Sequence, residues 1–280
     1  MPPDFLSIGH LAKDLTPDGH VIGGAVTYAS LTARALGLRP AMVTSFGPDV
    51  EPGPSLADVL SHVVPSPETT TFKNVYERGR RTQTIVGVGG PIAASDVPEE
   101  WRSAPLVLLG PLAGELDKDI LSIFTDSVVM ASMQGWLRRW DEDGRVSSGQ
   151  WNGDDILPGV DAAILSEDDI SDRERLDQWK DLTPVLIFTR GARGAELHYK
   201  GRWNHIDAFP VDEVDPTGAG DVFAAAYLVR FRETGDPLES ARFAGCAASF
   251  CVEKPGVQGI ASRARVEARL AERPEGTRVS

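Results

Sequence analysis

Positions 215–221 read Asp215-Pro216-Thr217-Gly218-Ala219-Gly220-Asp221, and an apolar run over 222–229 follows at once. Two glycines and a small alanine predict the opening of a helix, where unpaired backbone N–H groups and the positive end of the peptide dipoles face whatever lies in front. Such a turn binds anions. A carboxylate at Asp221 in the same turn would repel a phosphate that was merely held there. The spacing therefore points to a proton being taken while a phosphoryl group moves. The plain alternative is Thr217 as an N-cap and Asp221 as an ordinary first-turn acid. Two other phosphate motifs do not fit. G-x-G-x-x-G needs a third glycine where Phe223 stands, and G-x-x-x-x-G-K-[ST] occurs nowhere in the chain.

The rest of the chain must position that turn. Short apolar runs at 5–8, 41–44, 106–109, 128–130, 162–165 and 185–188 read as buried strands. Most are separated by segments long enough for a crossover helix, which predicts an α/β fold with a mainly parallel sheet covered on both faces. Ligands of such sheets bind beyond the carboxyl ends of the strands. Gly23-Gly24 opens a helix that ends near Gly37. Gly235 stops the helix begun at Gly218, and Asp236, Pro237 and Glu239 start another. Over 69–88 the sequence is rich in β-formers around a break at Glu77-Arg78-Gly79-Arg80, which predicts an antiparallel excursion from the sheet.

Composition narrows the function classes. With 280 residues, 41% hydrophobic and 25% charged, the chain can bury a substantial core. A net charge of −13 argues against a nucleic-acid partner, and no apolar stretch approaches membrane-spanning length, so no membrane partner is expected. Cys246 and Cys251 lie five apart on one helix and point to different sides, which suits neither a disulfide nor a metal pair. The five histidines form no zinc pattern, and the N-terminus has no basic stretch leading into a hydrophobic one, so a cytoplasmic protein is expected.

On these residues, the heptapeptide late in a chain of this length resembles the signature of the ribokinase-like, or PfkB, family of carbohydrate kinases. The resemblance implies a three-layer αβα sandwich, a single domain over 1–280, and a short β-lid at 69–88 that closes over a sugar. It implies Asp221 as the base that deprotonates a substrate hydroxyl, with Gly218, Ala219 and Gly220 as the anion hole. By position, Asp14, Gly23 and Gly24 inherit the acceptor side; Asn74, Gln83 and Gln134 are further acceptor candidates. Thr189, Gly191 and Gly194 match a Thr-x-Gly-x-x-Gly turn beside the ATP phosphates. Thr217 and Gly256 join the ATP side, and Asp215 and Thr217 could contribute to a monovalent-cation site.

Two departures stand out. Where many relatives place Asn, four residues after the second glycine, this chain has Tyr28, whose flat ring suits a ring face. That shifts the expected acceptor from ribose or fructose toward a cyclitol such as myo-inositol, or a nucleoside. Where relatives show Asn-x-x-Glu after the fifth strand, this chain has Ser166-Glu167-Asp168-Asp169. Asp169 and Glu167 are then the Mg²⁺ candidates, through water, against the reading of Ser166 and Asp169 as a helix cap. The expected activity is ATP-dependent phosphorylation of a small sugar or polyol by a monomer or homodimer, and the alternative class is an inactive nucleotide- or sugar-binding protein.

Overall fold

The structure, a computed structural model, describes residues 2–77, 80–273 and 277–278. The chain enters through β1 (Phe5–Ile8), leaves the main sheet for the hairpin β2 (Ala12–Thr16) and β3 (Gly19–Gly23), and returns through α1 (Ala25–Ala35) to β4 (Pro40–Phe46) and β5 (Leu60–Pro65). A second excursion, β6 (Thr70–Glu77) and β7 (Arg80–Gly87), precedes β8 (Leu106–Leu109) and β9 (Val128–Ser132). The one-turn helix α2 (Gln134–Leu137) leads to the hairpin β10 (Arg138–Trp140) and β11 (Val146–Ser148), then β12 (Ala162–Ser166), α3 (Leu176–Trp179) and β13 (Val185–Thr189). β14 (Ala195–Tyr199), β15 (Arg202–Ile206), α4 (Ala219–Thr234), α5 (Pro237–Cys251), α6 (Arg263–Glu272) and β16 (Thr277–Arg278) complete the order.

Among the described residues the main sheet has ten strands, in the order β16-β15-β14-β13-β12-β9-β8-β1-β4-β5. Pairing is parallel from β5 to β13 and antiparallel beyond it. All six predicted runs lie in the parallel part. Because strand side chains alternate between faces, Leu106 and Leu108 enter one core while Val107 and Leu109 enter the other. The first core is roofed by α1, α4, α5 and α6.

The second face is covered differently from the expectation of crossover helices. Its cover consists of 3-10 turns, α2, α3 and the β10–β11 hairpin. Pro91, Pro98, Pro105, Pro111, Pro158 and Pro184 break these connections into short pieces, since proline cannot donate inside a helix. Large aromatics supply the buried area instead. Trp136 stacks on Trp151 at 5.3 Å, Trp151 leans on Trp179, and Trp179 is fully buried.

A separate four-stranded sheet, in the order β3-β2-β6-β7, forms the lid. The antiparallel excursion expected over 69–88 is β6–β7, although the break predicted at Arg78-Gly79 lies outside the described residues. The lid is wider than expected, because β2 and β3 join it, with β2 parallel to β6. Cys246 and Cys251 are both buried and both free. No described helix is long and apolar enough to cross a membrane.

Truncating the largest fully buried side chain of the second core, Trp179→Ala, should cost about 3–5 kcal/mol in a denaturant titration. A loss under about 1 kcal/mol, the range of surface changes, would show that the aromatic layer is not the cover described.

Candidate active site

α4 begins at Gly218, whose backbone is left-handed (φ 79°) and which no side chain could replace without collision. A Cβ there would lie 2.2 Å from Cε1 of Tyr28. Tyr28, on α1, is 3% exposed, and its ring packs against this turn. A bulky residue near the start of α1 is drawn under the close crossing of α1 and α4, so little of the ring expected on the acceptor side is open to solvent. Beside Gly220 the space is open, with nothing within 4 Å of a Cβ.

Asp215 fixes the approach to that turn. Its Oδ1 accepts the Thr217 amide at 3.0 Å, and its Oδ2 accepts the Gly256 amide at 2.8 Å. Asp215 thereby brings Thr217 together with Gly256, which lies 41 residues beyond Asp215. Gly256 is also left-handed (φ 52°) and faces the Tyr28 hydroxyl. Cys251 Sγ points at the Thr217 carbonyl at 3.7 Å, and burial pushes its thiol up to about 12.

Asp221 sits in the first turn of α4. Removal from water pushes its carboxyl from the usual 3.8 up to about 7; the Arg138 guanidinium works against that rise, and Asp169 adds to it. Tyr28 holds its proton to well above the usual phenol range, first through burial and then through the charges of Cys251, Asp215, Asp14 and Asp221.

The acceptor candidates meet on one face of the lid. Asp14 on β2 pairs directly with Phe72 on β6, Asn74 lies two residues further along, and Asn74 pairs with Gln83 on β7. Asn74 Nδ2 donates to Asp14 Oδ1 at 3.1 Å, and Gln83 Nε2 donates to Asn74 Oδ1 at 3.0 Å. Gly23 lies against the same carboxylate, and a Cβ there would be 2.6 Å from Asp14 Oδ2, which would have to turn aside. Gly24, at φ 92°, passes so close to His10 that a Cβ would lie 2.5 Å from its carbonyl oxygen.

Gln134 is not in that row. Its Nε2 donates to Asp169 Oδ1 at 3.1 Å, and Asp169 Oδ2 accepts both the amide and the hydroxyl of Ser166 at 2.7 and 3.0 Å. Asp169 therefore closes a helix cap, and Glu167 is ion-paired with Arg193. Among the described residues no group of three or more His, Cys, Asp and Glu could hold a metal. The donor set suits a hydrated Mg²⁺ that arrives on phosphates and not a protein cage.

The turn after β13 is as expected in outline. Gly191 (φ 54°) faces open space, whereas Gly194 (φ 81°) lies where a Cβ would meet the Ile206 carbonyl at 2.1 Å. Thr189 Oγ1 donates to the Leu165 carbonyl at 3.4 Å.

Sequence reading missed three residues here. Arg138 directly follows α2 and opens β10 with extended backbone, so no helical spacing marked it. His10 is fully buried at the foot of the lid; its Nε2 donates to the Gly90 carbonyl at 2.8 Å and its Nδ1 accepts the Thr70 hydroxyl at 2.7 Å. Glu115 accepts the amides of His10, Leu112 and Ala113 at 2.8–3.0 Å.

Comparison with known proteins fits this arrangement. The family model described as pfkB family carbohydrate kinase matches residues 158–264. A cytidine kinase of Thermococcus kodakarensis is 25% identical over 84% of this chain and 91% of its own length. An inositol 3-kinase of Arabidopsis thaliana is 25% identical over 90% of this chain and 74% of its own. Among solved structures, a pyrophosphate-dependent kinase in the ribokinase family, complexed with a pyrophosphate analog and myo-inositol, superposes with a TM-score of 0.77 at 22% identity, over 95% of this chain and 99% of that one. The fold is the ribokinase fold, and the relatives define a phosphotransferase with an alcohol group as acceptor. The family match covers the carboxyl-terminal part of the chain, which carries the turn at 215–221.

Gly218→Ala should place a Cβ inside the Tyr28 ring and strain the backbone by roughly 1–3 kcal/mol. Displacement of the turn should cut turnover by about 10²-fold or more. A variant with unchanged melting temperature and unchanged rate would show that the Tyr28 contact does not fix the turn.

Proposed function

We propose that this protein transfers the γ-phosphoryl group of ATP to a hydroxyl of a small polyol, with Asp221 as the general base. The observation that carries this reading is the placement of Asp221 in the first turn of α4, directly after the left-handed Gly218 turn; removal from water there raises the proton affinity of its carboxyl. A base whose proton affinity lies near working pH can take the hydroxyl proton as the oxygen attacks. A protein that only bound nucleotide would gain nothing from an acid placed there, which argues against the inactive alternative. The amides of Gly218, Ala219 and Gly220 would stabilise charge on the phosphoryl oxygens. The Thr189–Gly194 turn, Thr217 and Gly256 would line the donor. Mg²⁺ bound to the donor would neutralise charge across its phosphates.

For the acceptor, the hydrogen-bonded row Asp14–Asn74–Gln83 offers a carboxylate and two amides to neighbouring hydroxyls. That chemistry suits a sugar, a cyclitol or the ribose of a nucleoside. The cytidine kinase and inositol 3-kinase relatives favour the latter two. A solved neighbour described as pyrophosphate-dependent adds a second donor to be tried. The free, buried cysteines accord with a cytoplasmic setting.

The test is release of phosphorylated product from a panel of myo-inositol, D-ribose, D-fructose and cytidine, with ATP or pyrophosphate as donor and Mg²⁺ present. Asp221→Asn should reduce kcat by about 10²–10⁴-fold, and substantial residual turnover on every acceptor would sink the role. In the parent protein, kcat/KM should fall as pH drops below about 7, because the protonated base cannot accept.

The same group makes a stability prediction. The folded Asp221 holds its proton more tightly than the unfolded one, so its contribution is complete below about pH 4 and is lost as pH rises through about 7. At pH 8 the fold carries an unfavourable buried charge. Asp221→Asn removes it and should raise Tm, by roughly 2–4 °C or more. A Tm lowered at pH 8 would contradict the burial assigned to this carboxylate.

A further inference from the structure

The polar row on the lid has a direction. Asp14 on β2, Asn74 on β6 and Gln83 on β7 share one face of three adjacent strands, since Asp14 pairs with Phe72, two residues before Asn74, and Asn74 pairs with Gln83. An ionised carboxylate can only accept hydrogen bonds, so the group beside it must donate. Asn74 therefore turns its NH2 end to Asp14, with Nδ2 3.1 Å from Oδ1. That choice fixes the other end of the amide as well. Asn74 shows Oδ1 to Gln83, so the NH2 of Gln83 must come next, and its Nε2 lies 3.0 Å from that oxygen. The sense of both amides thus follows from one carboxylate.

Gln83 holds Asn74 in that sense. An amide can turn by half a rotation with little change of shape, so its sense depends on the partners at both ends. With Gln83 as it stands, a reversed Asn74 would set NH2 against NH2 on one side and oxygen against oxygen on the other. All three side chains are half-buried, and neither bond is shut away from water. A lone hydrogen bond in such a place is readily exchanged for water, whereas two bonds of one sense polarise and reinforce each other. Asp14 Oδ2 lies on the other side of the carboxylate, beside the bare backbone of Gly23.

We propose that Gln83 is a positioning residue for the acceptor: its donation to Asn74 Oδ1 holds the amide that in turn steadies the Asp14 carboxylate. This role rests on the row serving the acceptor, as in the function proposed. Gln83 acts through Asn74 and needs no contact with the acceptor itself. The direction of its hydrogen bond is what counts, not the space it fills.

The test uses the full-length protein with Mg-ATP and whichever of myo-inositol, D-ribose, D-fructose and cytidine turns over, and adds calorimetric titration of that acceptor without donor. Gln83→Met keeps the length of the side chain and removes its polar end. Its acceptor Kd and KM should rise about 3–10-fold, the worth of one hydrogen bond, while donor KM stays within about twofold. Gln83→Glu keeps length and shape but accepts where Gln83 donates, so at pH 8 the rise should be larger, about 10–100-fold. Measured as a ratio to the parent, that excess should shrink as pH falls toward about 4.5, where the introduced carboxyl takes up a proton and can donate again. In an Asn74→Leu background neither change at Gln83 should matter by more than about twofold, since the amide through which it acts is gone.

Equal losses for Gln83→Met and Gln83→Glu at every pH would overturn the inference and leave a packing role. A Gln83→Glu loss that persists undiminished in the Asn74→Leu background would overturn it too, because a charge would then act without the amide. If Gln83→Glu does not fold, Gln83→Met with and without Asn74→Leu decides, and additive losses in that pair refute the relay. Asp14→Ala separates the two levels of the reading. Acceptor affinity untouched by Asp14→Ala would refute the acceptor side itself, whereas affinity lost with Asp14→Ala but unchanged in both Gln83 variants refutes the relay alone.

Discussion

The start of α4 has no space for a side chain, and the functional half of the molecule depends on that constraint. The Tyr28 ring occupies the place a Cβ at Gly218 would need, so α1 and α4 meet at backbone distance. This contact fixes how closely α1 approaches the turn from which α4 and Asp221 start. Asp215 then locks the segment from the other side by gripping Thr217 and Gly256. The turn is held by a ring beneath it and a carboxylate behind it, which leaves its front open.

Much of this was legible in the sequence, for identifiable reasons. Six of the seven parallel strands are short apolar runs, a pattern that the sequence displays by itself, whereas β5 is largely exposed. The helix limits at Gly24, Gly235 and Asp236 follow from left-handed or capping requirements that few other residues meet. The start of α4 was readable because two glycines and an alanine stand directly before a long apolar run.

What escaped reading depends on tertiary contacts or on weak patterning. The β2–β3 hairpin has few buried residues and little alternation, although Thr16-Pro17-Asp18-Gly19 carries a turn signature between its strands. Tyr28 looked like a ligand-side residue because nothing local tells an inward ring from one beneath a neighbouring helix. The acids at 167 and 169 suggested a cation, but their partners, Arg193 and the Ser166–Gln134 pair, come from other elements or from the cap itself. Arg138 gives no local sign of a role, since its contacts lie in the lid and in the loop after β8.

The buried imidazole of His10 has a mechanical meaning for the lid. One ring nitrogen holds Thr70, where the chain enters β6, and the other holds Gly90, just beyond the exit from β7. Thr70 Oγ1 also accepts the Gly89 amide at 2.8 Å, so the outgoing and returning stems are fastened to each other as well. His10 itself lies two residues before β2, at the stem of the other hairpin. Both hairpins therefore leave the body through one knot. One buried imidazole thus links the roots of both hairpins, so losing it would release the two stems together.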